Sequence, residues 1–319
     1  MTAPAIEIDR LTMDYPLGFW RKRWRRSLDH LSLQVQEGEI FGFLGPNGAG
    51  KTTTLKLLMG LIFPTEGTAR IRGRSIADVS MHAEIGYLPE QPYFYDYLTA
   101  RELLDYYARF SGYERAERNA RVARFLGMVG LSDAADTQLR KFSKGMLQRA
   151  GIAQAILHDP KVVFLDEPMS GLDPVGRREV RDTILDLRRQ GRTVFFSTHI
   201  LSDAEMICDR VAVLVNGKLR GVGAPAEFVP IEMQAMEILF ELPEGRTLDA
   251  DLGRRATQTG ARYRIEVPEG ELYPVLDRLR EMSAKILSVT PVRPTLEDYF
   301  LRLVESEGTA SKPAEVLMP

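Results

Sequence analysis

The sequence predicts an α/β fold built on a buried parallel sheet, followed by a small α+β domain. Apolar runs of about six residues, EIFGFL, KVVFLD and TVFFST, are typical of strands that are buried on both faces. Helical patterns separate these runs, and a strand–helix–strand order implies parallel pairing with right-handed crossovers. The pattern then resets through GAPAEFVPIE, residues 223–232, which we interpret as a linker between two domains.

The composition is that of a soluble globular protein. The 319 residues suit two domains, with 44% apolar and 27% charged residues. The chain contains 42 Lys and Arg residues and 44 Asp and Glu residues. Its net charge is therefore −2, so the whole molecule is not a polycation. No window approaches the ~18 consecutive apolar residues of a membrane-spanning helix, and MTAPAIEIDR does not resemble a signal peptide. The single cysteine, Cys208, excludes an internal disulfide, fits a reducing cytosol and is expected to be a buried small residue.

Each element of the first domain follows from its local pattern. AIEIDRLTM and LSLQVQEGEIFGFLG predict half-exposed strands that lead into a buried one. KTTTLKLLMG predicts a helix that ends at Gly60, and GTARIRGR predicts a short hairpin. Residues from Glu90 to about His158 are mainly helical, with a capping box at Thr99 and Glu102. GRREVRDTILDLRRQG predicts the helix between the last two buried strands, and VAVLVNGKLRGVG predicts a hairpin that turns at Asn216–Gly217.

After the linker, the pattern is that of a small α+β domain. RYRIEV alternates with Tyr263, Ile265 and Val267 on one face, ELYPVLDRLREM predicts a helix and KILSVT a strand. TLEDYFLRLV predicts an amphipathic last helix, with one apolar side formed by Leu296, Tyr299, Phe300 and Leu303. The predicted domains are residues 1–225 (with a helical subdomain at about 90–158), residues 226–306, and a disordered tail at 307–319.

The segment GPNGAGKTT carries the strongest functional signal. It matches G-x-x-x-x-G-K-[ST] between an apolar strand and a helix, which favours a nucleotide site over a plain glycine-rich turn. The glycines let backbone N–H groups approach a phosphate at the helix N-terminus. Lys51 would reach the β- and γ-phosphates of ATP, and the Thr52 hydroxyl would ligate Mg²⁺. The predicted nucleotide-binding residues are Gly45, Pro46, Asn47, Gly48, Ala49, Gly50, Lys51, Thr52 and Thr53.

Two carboxylates and a histidine complete the predicted catalytic site. Asp166 ends a buried strand, where its charge is costly unless a partner such as Mg²⁺ beside the phosphates stabilises it. Glu167 is expected on the other side of the extended chain, where it could polarise a water molecule against the γ-phosphate. The alternative is a structural role, in which both carboxylates cap the next loop. His199 ends TVFFSTH and would lie at the same sheet edge, in reach of the γ-phosphate.

These segments, in this order, resemble the ATP-binding cassette (ABC) ATPases over roughly residues 4–225. FSKGMLQR is similar to the family's signature, LSGGQ followed by Gln-Arg. Ser143, Gly145, Gln148 and Arg149 match the signature, whereas Phe142, Lys144 and Met146 depart from it. MSGLD resembles the family's D-loop, with Ser170 and Asp173, and STH resembles its switch histidine. By itself Ser143 would also be a good helix N-cap.

The resemblance implies a head-to-tail homodimer in which ATP and Mg²⁺ lie between the P-loop of one subunit and the signature helix of the other. Ser143, Lys144 and Gly145 would then contact the nucleotide in trans. Lys144 could place a charge beside the γ-phosphate or face solvent. The family's Mg²⁺-ligating glutamine falls at Glu90 or Gln91, and the choice stays open. Tyr15 is the expected platform for adenine, with an ordinary core role as the alternative.

The resemblance also implies a separate transmembrane permease. Its cytosolic helices would dock near the exposed aromatics of EQPYFYDYL, Glu90–Leu98. PTLEDYFLRL resembles the closing segment of the bacterial exporter branch of these ATPases. We therefore expect the ATPase subunit of an exporter, cytoplasmic and peripheral on the inner face of the cell membrane. The alternatives are a soluble ABC ATPase that acts on nucleic acid or ribosomes, and a regulatory ATPase of a membrane complex; the cargo is not indicated.

The run FWRKRWRR, residues 19–26, contains both tryptophans and five of the cationic residues. It follows Tyr15 and is expected to lengthen a loop near the adenine end of the site. Helical spacing would align Trp20, Trp24 and Leu28 on one face. The run fits a solvated loop, a contact with the membrane surface or a partner, or single-stranded nucleic acid stacked on the tryptophans. The net charge of −2 argues against nucleic acid.

Overall fold

The computed structural model describes residues 3–17, 23–228, 235–243, 245–292 and 295–308. The chain divides into two compact units, Met1–Pro225 and Ala226–Pro319. The expected disordered tail begins too early in the sequence-based prediction, because residues 307 and 308 belong to the last helix. The remainder of that tail, residues 309–319, lies outside the described residues.

Two sheets form the frame of the first unit. The antiparallel sheet has the order β2-β1-β4-β5, with β1 Ile6–Leu17, β2 Arg23–Val35, β4 Glu66–Ile71 and β5 Arg74–Ser75. The larger sheet has the order β10-β9-β3-β8-β7-β6, with β3 Ile40–Leu44, β6 Ile85–Leu88, β7 Val162–Asp166, β8 Thr193–Thr198, β9 Arg210–Val215 and β10 Lys218–Gly223. Strands β9, β3, β8, β7 and β6 pair in parallel, as predicted, and β10 closes the edge as an antiparallel hairpin.

The central strands are buried because helices or the second sheet cover both of their faces. Every residue of β3, β7 and β8 is buried. Phe195 on β8 packs against Phe41, Phe43 and Phe164, with ring centroids 5.3–5.7 Å apart. This aromatic contact joins three neighbouring strands and makes the sheet a rigid base for the loops at its carboxyl edge.

Helices connect these strands. They are α1 Lys51–Leu58, α2 Ala100–Phe110, α3 Arg115–Met128, α4 Lys144–Ala155, α5 Pro174–Arg189 and α6 Leu201–Ile207. Helix α2 begins with the predicted capping box, in which Thr99 and Glu102 bond to each other's backbone N–H groups. In the described part of the chain, no helix is both long and apolar enough to cross a bilayer.

The second unit is a four-stranded antiparallel sheet of order β12-β13-β11-β14. Its elements are β11 Ala235–Glu241, α7 Ala250–Arg255, β12 Ala256–Thr259, β13 Arg262–Pro268, α8 Leu272–Glu281, β14 Lys285–Val292 and α9 Leu296–Gly308. Ile265 and Val267 join Ile238, Phe240 and Leu279 in a core of its own. The alternation predicted for RYRIEV is therefore confirmed, whereas β11, α7 and β12 had no clear sequence signal.

The described part of the basic aromatic run, from Arg23 to Arg26, is a strand. Residues from Arg23 onward form β2, which pairs antiparallel with β1 to the end of that strand, so the helical alignment expected for Trp24 and Leu28 is wrong. Long antiparallel pairing satisfies the backbone of both strands, which an isolated eight-residue helical turn could not do. Trp24 is 64% exposed, whereas Leu28 is buried. Residues 18–22 lie outside the described residues.

Candidate functional site

An open cleft of about 930 Å³ lies at the carboxyl edge of the large sheet. Ligands of open α/β sheets bind at this edge because loops and helix N-termini converge there. The cleft is lined by Tyr15, Pro16, Arg25, Ser27, Pro46, Asn47, Gly48, Gly50, Lys51, Thr52, Thr53, Glu90, Glu167, Ser170 and His199. Most residues of the predicted nucleotide site therefore meet in one cleft.

The glycine-rich loop between β3 and α1 wraps tightly because two of its glycines have no room for a side chain. Gly50, the N-cap of α1, has a φ of 109°, and a Cβ there would lie 2.6 Å from the carbonyl oxygen of Ser27. A Cβ at Gly45 would lie 2.4 Å from the carbonyl oxygen of Leu214. The loop consequently presents backbone N–H groups and the N-terminus of α1 to the cleft, which is a favourable arrangement for phosphate.

Lys51 is the cation at the base of this loop. Its side chain is only 6% exposed, and its ammonium group donates a hydrogen bond of 2.6 Å to the Gly45 carbonyl. The same nitrogen lies 3.1 Å from Oε1 of Glu167. The buried charge of Lys51 is thus paired with a carboxylate that comes from the end of β7, and the pair links the loop to the adjacent strand.

Asp166 is the last residue of β7 and is 1% exposed. It lies opposite Ser197 of β8, whose hydroxyl donates a hydrogen bond of 2.5 Å to Oδ1. Burial raises the pKa of Asp166, while hydrogen bonds from Ser197 and Thr52 act in the opposite direction. The Thr52 hydroxyl and the Asp166 carboxylate are adjacent hard oxygen donors, which is the donor type that Mg²⁺ prefers.

Glu167 lies between the Lys51 ammonium and the His199 ring and is 5% exposed. His199 Nδ1 lies 2.8 Å from Oε2 of Glu167, while Lys51 approaches Oε1. The Glu167 backbone has a φ of 50°, unusual for a residue with a side chain, at a typical cost of about 1–3 kcal/mol. Its N–H donates to both the carbonyl and the hydroxyl of Ser197, and these bonds hold the strained conformation.

The β1–β2 hairpin forms one wall of the cleft. Tyr15 pairs with Arg25 across the two strands, and both residues line the cleft. Farther along β2, the Ser27 hydroxyl lies 3.1 Å from the Thr53 hydroxyl in the first turn of α1. The sequence does not mark Arg25, Ser27 and Ser197 as site residues, because their positions depend on pairing with strands and helices elsewhere in the chain.

The predicted signature and D-loop residues lie mostly outside this cleft within a single chain. Ser143 is the N-cap of α4, where its hydroxyl accepts a hydrogen bond from the Met146 N–H. Gly145 is buried against Gly176 of α5, and the Lys144 ammonium lies beside Gly171 of the D-loop segment. Ser170 lines the cleft, whereas Asp173 caps α5 by accepting from the Gly176 N–H.

Of the two candidates for the family's glutamine, only Glu90 is among the residues that line the cleft; Gln91 is exposed. The charge of Glu90 also contributes, after burial and Asp166, to raising the pKa of Tyr87 to about 12. Glu90 and Asp166 therefore both lie close enough to Tyr87 for their charges to raise its pKa.

Comparisons with known proteins agree with this architecture. A family model described as ABC transporter matches residues 28–170. An uncharacterized ABC transporter ATP-binding protein of Synechocystis is 43% identical over 96% of this chain and 86% of its own length. The bacitracin transport ATP-binding protein BcrA of Bacillus licheniformis is 36% identical over 88% of this chain and 93% of its own. A fluoroquinolones export ATP-binding protein of Mycobacterium tuberculosis is 40% identical over 70% of this chain and 71% of its own.

Solved structures show the same fold. A dimeric ATP-binding cassette, MJ0796, in a post-hydrolysis state with ADP and Pi, matches with a TM-score of 0.62 at 26% identity, over 69% of this chain and 98% of its own. The ATP-binding subunit of an ABC transporter matches with a TM-score of 0.60 at 31% identity, over 70% of this chain and 91% of its own. The fold is therefore that of a P-loop ATPase cassette. The chain belongs to the ABC transporter ATP-binding protein family.

Proposed function

We propose that this protein is the ATP-hydrolysing subunit of an ABC exporter and works as a head-to-tail dimer on a separate transmembrane permease. The observation that carries the proposal is the position of Glu167. Its carboxylate is buried in the cleft between the Lys51 ammonium, at 3.1 Å, and the His199 ring, at 2.8 Å. A carboxylate held between the phosphate-binding lysine and a histidine is well placed to act on a water molecule at the γ-phosphate.

The phosphate chain of ATP would bind along the loop from Gly45 to Thr53. Backbone N–H groups and Lys51 would contact the β- and γ-phosphates, and Tyr15 would support the adenine. The oxygens of Thr52 and Asp166, with Glu90 or Gln91, fit Mg²⁺ as ligands, and Glu90 is the one that lines the cleft. When bound, Mg²⁺ would neutralise charge that develops on the phosphate oxygens.

In the proposed reaction, Glu167 accepts a proton from water while the water oxygen attacks the γ-phosphorus and ADP leaves. His199 keeps one carboxylate oxygen in a fixed orientation and can approach the γ-phosphate itself, because its side chain is 42% exposed. Lys51 would exchange part of its contact with Glu167 for the phosphates, which leaves the glutamate free to act as the base.

The open cleft favours completion by a second copy of the chain. Ser143 is exposed at the N-terminus of the twelve-residue helix α4, where the helix dipole favours a negative ligand. We infer that Ser143, Lys144 and Gly145 of one subunit cover the γ-phosphate bound to the other, with Ser170 and Asp173 at the same interface. The dimeric assembly of the similar cassette MJ0796 supports this arrangement.

A string of exposed aromatic side chains supports docking of a permease. Tyr95 contacts Tyr97 and Tyr106, and Tyr106 contacts Phe110, with ring centroids 5.0–6.5 Å apart. Tyr93, in the same segment, is 90% exposed. Aromatic residues are enriched in the cores of protein interfaces. Seated on a permease there, the subunit would be cytoplasmic and peripheral on the inner face of the membrane. The exporter assignment is supported by relatives named for bacitracin transport and fluoroquinolone export.

The test is the Glu167→Gln variant. We expect ATP turnover to fall at least about a hundredfold, the usual contribution of a general base, with an ATP-bound dimer accumulating in analytical ultracentrifugation. Glu117→Gln, an exposed glutamate paired with Arg121 on α3, is the matched control and should retain turnover. Normal ATPase rates in Glu167→Gln would refute the role of Glu167.

The partner is tested by affinity purification of Glu167→Gln from gently solubilised membranes with ATP and Mg²⁺. Stoichiometric recovery of a polytopic membrane protein is the expected result and would identify the permease. Recovery only from the soluble fraction, with RNA or ribosomal proteins, would contradict the transporter assignment while leaving the ATPase site intact.

A further inference from the structure

Arg25 is a cation that lines the cleft and has no side-chain partner among the described residues. It lies opposite Tyr15 in the β1–β2 ladder, and both residues line the cleft. No side-chain hydrogen bond, ion pair or ring contact joins the Arg25 guanidinium to another residue in the described part of the chain. Arg26, its neighbour, is fully engaged: its guanidinium bonds to Asp14 at 3.0 Å and to Asp29 at 3.1 Å. Arg25 therefore has no structural task comparable to that of Arg26.

The position of Arg25 along the strand indicates which part of a nucleotide it could contact. Two residues farther along β2, Ser27 touches Thr53 in the first turn of α1. At about 3.4 Å per residue, Arg25 lies roughly 7 Å along the strand from this contact. Arg25 therefore lies beside Tyr15 in the cleft wall, about two residues along β2 from the helix N-terminus at which we expect phosphate to bind.

The charges of the cleft make a free guanidinium significant. The Lys51 ammonium is already paired with Glu167, and Glu90 adds a second carboxylate to the lining. A polyphosphate would thus enter a cleft lined by two basic side chains, Lys51 and Arg25. Of these two, Arg25 has no anionic partner among the described residues. The planar guanidinium matches phosphate oxygens with two parallel hydrogen bonds.

We propose that Arg25 binds the α-phosphate of the nucleotide, a proposal that rests on the proposed function of the cleft. The β- and γ-phosphates belong to Lys51 and the glycine-rich loop, so the α-phosphate is the one nearest to the Tyr15 end of the cleft. A contact with this group is present equally for a nucleoside triphosphate, diphosphate or monophosphate. Arg25 is therefore a binding residue that does not take part in the hydrolytic step.

The test measures binding of ADP, AMP and adenosine to the full-length chain by competition with a fluorescent nucleotide. For Arg25→Ala we expect the Kd of ADP and of AMP to rise by the same factor, roughly tenfold, as for loss of a charge-assisted hydrogen bond. Adenosine should bind as it does to the wild type. Arg25→Lys should recover part of the affinity, because it keeps the charge and loses the planar fork.

The matched control is Arg70→Ala. Arg70 is an exposed arginine of β4 in the same sheet and is not among the residues that line the cleft. It should leave all three Kd values unchanged. Unchanged ADP binding in Arg25→Ala would overturn the proposal, and so would an equal loss for adenosine, which would place Arg25 on the base. Failure of the wild-type chain to bind ADP would instead refute the proposed function of the cleft itself.

Discussion

The hydroxyl of Ser197 bonds to the Asp166 carboxylate and to the Glu167 backbone N–H, so the Ser197→Ala variant tests how the site is held together. Ser197 is fully buried. Its hydroxyl donates a hydrogen bond of 2.5 Å to Asp166 Oδ1 and accepts one of 3.0 Å from the Glu167 N–H. The Glu167 N–H keeps a second acceptor, the Ser197 carbonyl, in the variant. The main loss is therefore the hydrogen bond to a charged carboxylate, which is worth about 1.5–3 kcal/mol. We expect the free energy of unfolding to fall by about 2 kcal/mol at neutral pH, a factor of roughly 30 in the unfolded population.

The effect should depend on pH in a defined direction. Burial raises the pKa of Asp166 above its ordinary value of 3.8, so the folded state binds this proton more tightly than the unfolded chain. The free energy of unfolding therefore falls as the pH rises from 3.8 through the folded-state pKa. Without the Ser197 hydroxyl, that pKa rises further. The cost of Ser197→Ala should thus be about 1 kcal/mol at acidic pH, where the bond is between neutral groups, and should grow as the pH rises.

The assay is urea unfolding at a series of pH values from about 4 to 8. Both tryptophans, Trp20 and Trp24, belong to the first unit, so their fluorescence isolates the transition of that unit. Thr183→Val is the matched control, because the buried Thr183 hydroxyl donates a hydrogen bond of 2.8 Å to a neutral acceptor, the Glu179 backbone carbonyl. Its cost should be about 1 kcal/mol or less and independent of pH. Equal costs for the two variants at every pH would refute the reasoning.

Two further predictions concern the glycine-rich loop and the single thiol. Gly50→Ala should abolish nucleotide binding in a calorimetric titration, because the new Cβ would lie 2.6 Å from the Ser27 carbonyl oxygen. Gly48 has a φ of 81° but no atom within 4 Å of an added Cβ, so Gly48→Ala should cost only about 1–2 kcal/mol of stability and retain nucleotide binding. Equal losses of nucleotide binding in the two variants would contradict the steric argument. Burial raises the pKa of the Cys208 thiol well above 9.0, so at pH 8 iodoacetamide should alkylate the folded protein more slowly than the urea-unfolded chain. Comparable rates by mass spectrometry would show that Cys208 is accessible.

Local patterns were sufficient to predict much of this molecule. A glycine-rich loop must lie between a buried strand and a helix if its N–H groups are to bind phosphate, and GPNGAGKTT has that context in the sequence. The continuous apolar runs predicted the parallel strands, because only a strand covered on both faces tolerates such a run. The capping box of α2 and the Asn216–Gly217 turn followed equally from residues that are close together in the chain.

Contacts between distant residues required the tertiary structure. The sequence places Asp166, Glu167 and His199 at strand ends. Only the register of β7 on β8 puts Ser197 opposite Asp166 and brings the His199 ring into contact with the Glu167 carboxylate. Likewise, the run FWRKRWRR suggested a loop with helical spacing, whereas pairing with β1 makes its second half a strand.

The sequence by itself therefore determined the fold class, the phosphate-binding loop and the family resemblance, because these depend on residue type and local spacing. Only the tertiary structure decided the partners of each side chain: it paired Arg26 with Asp14 and left Arg25 facing the cleft. The physical reason is that strand register is set by the packing of whole sheets, and a shift of one residue would exchange the faces on which these two arginines lie.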